Sequence, residues 1–159
     1  MRRLVPAVVF LAVAVSAVPA FAQNPLVGTW EAVSLTVDGK ETLPATRADG
    51  IQPGIVRIIY SADGIYMSLG LPKGRPQTTT PQAQWTKEDW QGRFQGVTGQ
   101  YGTYSVSGDK LTSKPMSAMN PANEGKERVA SFRKDGGDVI VTSIGTNGSK
   151  TEIRFRRVK

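Results

Sequence analysis

Tight turns recur along this chain at hairpin spacing, and between them apolar and polar residues alternate with period two. Ser61-Ala62-Asp63-Gly64, Ser107-Gly108-Asp109, Asp135-Gly136-Gly137-Asp138 and Thr146-Asn147-Gly148-Ser149 combine glycine with short polar side chains that bond to their own turn. Segment 55–60 is β-branched and aromatic. In 65–71, Ile65, Met67, Leu69 and Leu71 alternate with Tyr66, Ser68 and Gly70. A turn flanked by such segments is a β-hairpin signal. The same reading gives strands at 26–37, 101–107, 110–116, 128–133, 139–144 and 151–158, eight in all. Pro115 marks an edge or a bulge within its strand. Short connections make successive strands antiparallel neighbours. The expected fold is therefore all-β, an eight-stranded up-and-down antiparallel barrel. A two-sheet sandwich is the alternative. Closure favours the barrel, because it removes the edges that Val- and Ile-rich strands would otherwise expose.

One short helix is expected between strands 3 and 4. Thr86 can cap it, with Asp89 completing a capping box, and Trp85 and Trp90 can form a hydrophobic staple. Trp90, Phe94 and Val97 share one face, and Gly96 and Gly99 end the run. Such a stripe is expected to lie across an end or flank of the barrel, as packing or as a lid. Two connections exceed hairpin length, 38–53 and 72–84, and are candidate rim segments. The first strand carries a conflict of phase. Trp30 and Ala32 share one side, whereas Val33, Leu35 and Val37 share the other, which calls for a bulge or a covered outer face.

The first residues have a different character. Arg2 and Arg3 precede an apolar run over 4–20, and Ala20-Phe21-Ala22 offers small residues before Gln23. This reads as a signal peptide over 1–22 cleaved after Ala22, leaving a domain over 23–159. Periplasmic or secreted placement follows, with no stable membrane insertion once the leader is removed.

The 159 residues contain no histidine and no cysteine. Ser-His-Asp and Cys-His catalysis are excluded, as are disulfides and metal centres built on thiolate or imidazole. No catalytic residue, metal ligand or cofactor is assigned. Acids fall mostly in turns or the first helical turn, and no carboxylate pair of glycosidase type is visible. The net charge is +7, with Lys and Arg scattered except for Arg154, Arg156 and Arg157. A nucleic-acid partner is not expected. A monomer or weak dimer is.

Several motifs occur in a telling order. Leu26-Val27-Gly28-Thr29-Trp30 opens the first strand with a Gly-x-Trp element. Tyr60-Ser61-Ala62-Asp63-Gly64 precedes an apolar strand, and Tyr101-Gly102-Thr103-Tyr104-Ser105-Val106 follows the short helix. In this the chain resembles the bacterial lipocalin-like domain family over most of 23–159. It lacks the paired cysteines and the Thr-Asp-Tyr-type second motif of secreted animal lipocalins. The resemblance implies a small barrel with a cavity for an apolar or amphipathic molecule. It also implies an arginine of the last strand stacked over Trp30. Arg157 is favoured, because Ile153 and Phe155 share its parity. Gly28, Trp30 and Arg157 would then be structural.

Parity nominates the cavity wall. Tyr60, Met67, Leu69, Tyr104, Phe132 and Phe155 are expected to face a ligand, with Trp90 and Phe94 gating the mouth. Tyr60 and Tyr104 would orient any polar group, and Met67 would adapt its shape to the ligand. The expected function is binding of a small hydrophobic or amphipathic ligand without transforming it. Two alternatives stand beside it. One is a barrel enzyme of cyclase or isomerase type acting on a small hydrophobic substrate. The other is an envelope interaction module with a filled barrel.

Overall fold

The computed structural model describes residues 24–41, 53–76 and 79–159. The signal-peptide reading of 1–22 lies outside them, as does most of the rim segment 38–53. The strands are β1 (Gly28–Val37), β2 (Lys40–Glu41), β3 (Pro53–Tyr60), β4 (Ile65–Pro72), β5 (Thr98–Ser107), β6 (Lys110–Ala118), β7 (Arg128–Asp135), β8 (Asp138–Ile144) and β9 (Lys150–Arg157). The helix α1 (Lys87–Phe94) lies between β4 and β5. Among the described residues no helix is long and apolar enough to cross a membrane.

β2 is a two-residue extension paired to the end of β1. The other eight strands each pair antiparallel with their neighbours in sequence, and β9 returns to β1. The expected eight-stranded up-and-down barrel is the fold of this chain, with its helix between the third and fourth barrel strands. The β3–β4 turn shows how locally the hairpins are specified. Gly64 takes a φ of +84°, open to glycine without steric cost. The Ser61 hydroxyl donates to the Ile65 carbonyl at 2.8 Å and to Asp63, and accepts the Ile65 N–H at 3.1 Å.

The phase conflict in the first strand is resolved by a bulge. The β1–β9 register shifts between Ala32 and Ser34, which leaves Val33 unpaired and half exposed. One extra residue reverses the alternation. Before it, Trp30 is buried and Ala32 packs on the core. After it, Leu35 stands opposite Ile153, itself packed on the core. A second bulge sits beside Pro115. Tyr101 pairs with Ser117 and Gly102 with Pro115, skipping Met116. Gly102 is required there, since a Cβ would come within 2.7 Å of Pro115 Cα and closer still to the Lys114 carbonyl.

One hydrophobic cluster fills the end of the barrel where β1 begins. It contains Leu26, Trp30, Tyr60, Tyr66, Tyr104, Leu111, Phe132, Val139 and Phe155. The segment before β1 plugs this end. Leu26 is fully buried, its carbonyl accepts the Trp30 indole N–H at 2.6 Å, and Asn24 donates to the Tyr104 hydroxyl at 3.0 Å. Burying a leucine and an indole in this way contributes about 1.5–3 kcal/mol each.

Strand β4 corrects the expected parity. Tyr66, Ser68 and Gly70 turn inward, while Met67 and Leu69 are 53% and 45% exposed on the outer wall. The reason is register. Tyr66 stands opposite Tyr60, and both rings enter the core, their centroids 6.3 Å apart. A tyrosine buries more area than the aliphatic residues of the other phase, so the more apolar-looking side faces out.

The helix forms as its caps dictate. Thr86 Oγ1 accepts the Asp89 N–H at 3.2 Å, and Asp89 accepts the Thr86 N–H at 2.9 Å. Its aromatic stripe, however, is not buried. Trp90 and Phe94 remain 40% and 44% exposed, and no residue of α1 is buried. The rings instead stack on each other. Trp85 meets Trp90 edge-on at 4.9 Å, and Trp90 lies over Phe94 at 5.6 Å. Polar ties hold the helix beside the chain that leaves β4. Arg75 Nε donates to the Arg93 carbonyl at 3.0 Å, and Arg93 Nη1 to the Pro76 carbonyl at 3.0 Å.

Candidate functional site: a cleft at the unplugged end

The barrel end opposite the plug is where β4 ends, β5 begins, β6 ends and β7 begins. A cleft of about 500 Å³ opens there, within the size range of small-molecule sites. Strand alternation aims Ser68, Thr98, Gln100 and Arg128 into it. Ser68 shares parity with buried Tyr66, Gln100 and Thr98 with buried Tyr104, and Arg128 with buried Phe132. Ser68 and Gln100 stand opposite each other across β4–β5. Val97 and Met119 supply apolar rim, and Asn120 and Asn123 supply amides. Asn120 also caps the short helical turn Pro121–Asn123, its side chain accepting the Ala122 N–H at 3.1 Å.

Two further spaces adjoin it. A constriction of about 40 Å³ shares Gly96 and Thr98 with the cleft. An outer groove of about 440 Å³ shares Gly54, Leu71 and Pro72 with this small space, and Lys73, Arg75 and Arg93 edge that groove.

The electrostatics of the interior are those of neutral phenols. Burial raises Tyr60 above the ordinary tyrosine range, helped by the neighbouring Tyr66 and Tyr104. Burial also raises Tyr104, with Asp63 adding to it. Tyr66 is raised by burial against the opposing pull of the Arg128 charge and the Ser113 hydroxyl. None is poised to lose its proton at neutral pH. The Tyr66 side chain is 2% exposed, and its hydroxyl forms no well-shaped hydrogen bond among the described residues.

The residues nominated from sequence divide into groups. Tyr60, Tyr104, Phe132 and Phe155 lie together in the core. The Tyr104 hydroxyl is already engaged, donating to the Ser61 carbonyl at 2.7 Å and accepting from Asn24. It points toward the plug, away from the cleft. Met67 and Leu69 are on the outer wall, and Trp90 and Phe94 on the half-exposed helix. At the plugged end, Arg157 Cζ lies 5.7 Å from the Trp30 ring centroid, and its Nη2 donates to the Val27 carbonyl at 3.1 Å.

Sequence reasoning passed over the cleft residues Ser68, Thr98, Gln100 and Arg128. Phe132, expected to face inward, carries the signal for Arg128, since the same parity carried four residues back along β7 reaches it. Among the described residues no cluster of acids could hold a metal ion.

No family model matches the chain, and no curated protein matches it. Solved structures do. A lipocalin-like protein from Bacteroides uniformis is 16% identical, with 84% of this chain and 98% of that one covered at a TM-score of 0.44. An uncharacterized protein from Bacteroides eggerthii is 15% identical over 84% and 99%, TM-score 0.45. A redesigned β-barrel is 14% identical over 84% and 92%, TM-score 0.40. The fold assignment rests on the strand pairing of this chain itself.

Proposed function

We propose that this protein is an exported binding protein that takes up a small amphipathic molecule at the cleft end of its barrel and releases it unchanged. The observation that carries this reading is the asymmetry of the two ends. One is plugged by Leu26 and filled with aromatic side chains, whereas the other opens into about 500 Å³ walled by inward-facing residues of β4, β5 and β7. Affinity would come from apolar area removed from water, at about 25 cal/mol per Å². The described residues lining the cleft include no acid and no tyrosine, which speaks for binding over acid–base turnover. Export, to the periplasm or beyond, rests on the leader over 1–22. The chain would act as a monomer or weak dimer.

Native mass spectrometry of the protein purified from its own cell envelope without detergent tests both parts. The expected result is a chain beginning at Gln23, with excess mass that disappears on denaturation. A bare chain mass would argue for the filled-barrel interaction module, and a mass that includes 1–22 would refute cleavage.

A further inference from the structure

The helix α1 turns its aromatic face outward. At about 3.6 residues per turn, Lys87, Trp90 and Phe94 share one side. Gly92 lies on the other, where an added Cβ would stand 3.5 Å from Pro76 Cγ. The helix therefore leans on the chain leaving β4 through Gly92 and through the bonds of Arg75 and Arg93 to carbonyls. Trp90 and Phe94 are left facing solvent, and Trp85 extends their stack. The Trp85 indole N–H donates to the Thr80 carbonyl at 2.8 Å, whereas that of Trp90 has no partner among the described residues. Contiguous apolar surface of this kind marks an interaction site.

Positive charge gathers on the same flank. Lys73, Arg75 and Arg93 edge the outer groove, which Ile55, Leu71 and Pro72 also line. Arg93 belongs to the groove and to the helix alike, and Lys87 shares the face of the rings. Arg57, Lys150, Arg154 and Arg156 each hold a carboxylate. Among the described residues no carboxylate pairs with Lys73, Arg75, Lys87 or Arg93. Of the two acids of α1, Asp89 is held in the cap, and Glu88 lies about 100° round the axis from Lys87. The flank thus joins half-covered aromatic rings to positive charge that no ion pair offsets.

We propose that this flank docks the protein on a bilayer surface of anionic phospholipids. Trp90 and Phe94 enter the headgroup region, where an indole buries its rings and keeps its N–H wet. Lys73, Arg75, Lys87 and Arg93 meet the lipid phosphates. The size of the patch favours a lipid surface over a folded protein. An aromatic side chain buries about 150–250 Å², and these rings are already more than half covered. Together they fall well short of the roughly 800 Å² per partner that a stable protein interface needs. A bilayer sets no such minimum. Each cation near an anionic surface raises partitioning by about fivefold, and a few interfacial aromatics add to that reversible hold. The proposal is independent of any ligand in the cleft.

Co-sedimentation of chain 23–159 with vesicles provides the test. The barrel closes within Gly28–Arg157, and leaving out 1–22 keeps that apolar segment from carrying the chain to the lipid. Vesicles of phosphatidylglycerol and phosphatidylcholine in equal parts are compared with vesicles of phosphatidylcholine alone, at low salt. Partitioning onto the anionic vesicles is expected to be about tenfold or more stronger, with a blue shift of tryptophan emission that Trp90→Ala diminishes. Trp90→Ala should also bind severalfold more weakly. Lys73→Gln combined with Lys87→Gln, both at exposed positions, should remove most of the preference for anionic lipid, and high salt should do the same to the wild type. Circular dichroism checks that each variant is folded. Equal partitioning of the wild type onto the two kinds of vesicle, or onto neither, overturns the proposal. Unchanged binding by the folded variants overturns the assignment to this flank. Sedimentation with native envelope membranes but with neither protein-free vesicle overturns the lipid surface in favour of a protein partner.

Discussion

Arg157 and Trp30 face each other across the β1–β9 pairing, with the guanidinium carbon 5.7 Å from the indole centroid. The same guanidinium donates to the Val27 carbonyl, so one side chain ties the last strand to both the plug and the first strand. Gly28 completes the arrangement. Its φ of +135° and the approach of Arg157 Nη2, which a Cβ would meet at 3.0 Å, explain why the Gly-x-Trp element needs its glycine.

Arg157→Ala should lower unfolding free energy by about 1–2 kcal/mol, the sum of a cation–π contact and a hydrogen bond. Its neighbour Arg156 points outward to Asp138, and Arg156→Ala should cost less, because an exposed ion pair contributes little. Urea denaturation of both variants measures the difference. Equal effects would refute a special role for the stacked arginine.

Gly102→Ala should fail to fold or melt far below the wild type, because the added methyl meets the backbone of Lys114 and Pro115. Gly137→Ala has open space around it and should melt within a few degrees of the wild type. Circular dichroism melts of the pair separate a packing requirement from a general intolerance of glycine replacement.

Trp90→Ala should change global stability by less than about 0.5 kcal/mol, since α1 buries none of its residues and, among the described residues, the ring stacks on Trp85 and Phe94. Hydrogen exchange within α1 should accelerate while that of the barrel strands stays constant. A large loss of global stability would mean that the helix is integral to the barrel.

Alkaline pH should destabilise the protein through its phenols. Tyr60 is held above its ordinary value by burial, so the unfolded chain gives up this proton first as pH rises. The contribution is therefore complete below the unfolded pKa of about 10 and falls away above it. Tyr60→Phe should lose less stability than the wild type between neutral pH and pH of about 11. Parallel pH profiles for the two proteins would contradict this.

How far these features could be read without coordinates depends on the kind of signal. Hairpins were legible because turn chemistry is local. Ser61, Asp63 and Gly64 specify their turn with their own side chains and backbone, whatever the rest of the barrel does. The capping box of Thr86 and Asp89 was legible for the same reason, and the phase change around Val33 announced its bulge. The inner face of β4 was not. Both phases of Ile65 to Leu71 carry large apolar groups, and the choice is made by the pairing of Tyr66 with Tyr60 and Gly102. The candidate site suffered more. Seeking apolar residues for a cavity directs attention to the filled core, whereas the cleft lies where inward positions turn polar, at Ser68, Gln100 and Arg128. The plug formed by Asn24 and Leu26 left no periodic trace at all, being a few residues whose role depends on the barrel end they enter.

The β1–β9 seam also sets an order of events. Every other barrel pairing joins successive barrel strands, and β3–β4, β5–β6, β7–β8 and β8–β9 can each zip from a short turn as soon as both halves exist. The seam joins residues near opposite ends of the described chain, such as Trp30 and Arg157, and closing so long a loop is the slow step in a fold otherwise made of local contacts. Until Lys150–Arg157 arrives, β1 offers one unpaired edge to solvent and the indole of Trp30 lacks its cover. The nascent molecule is therefore an open, adhesive sheet, and the last strand closes it into a ring, covering the edge that β1 would offer to a neighbour.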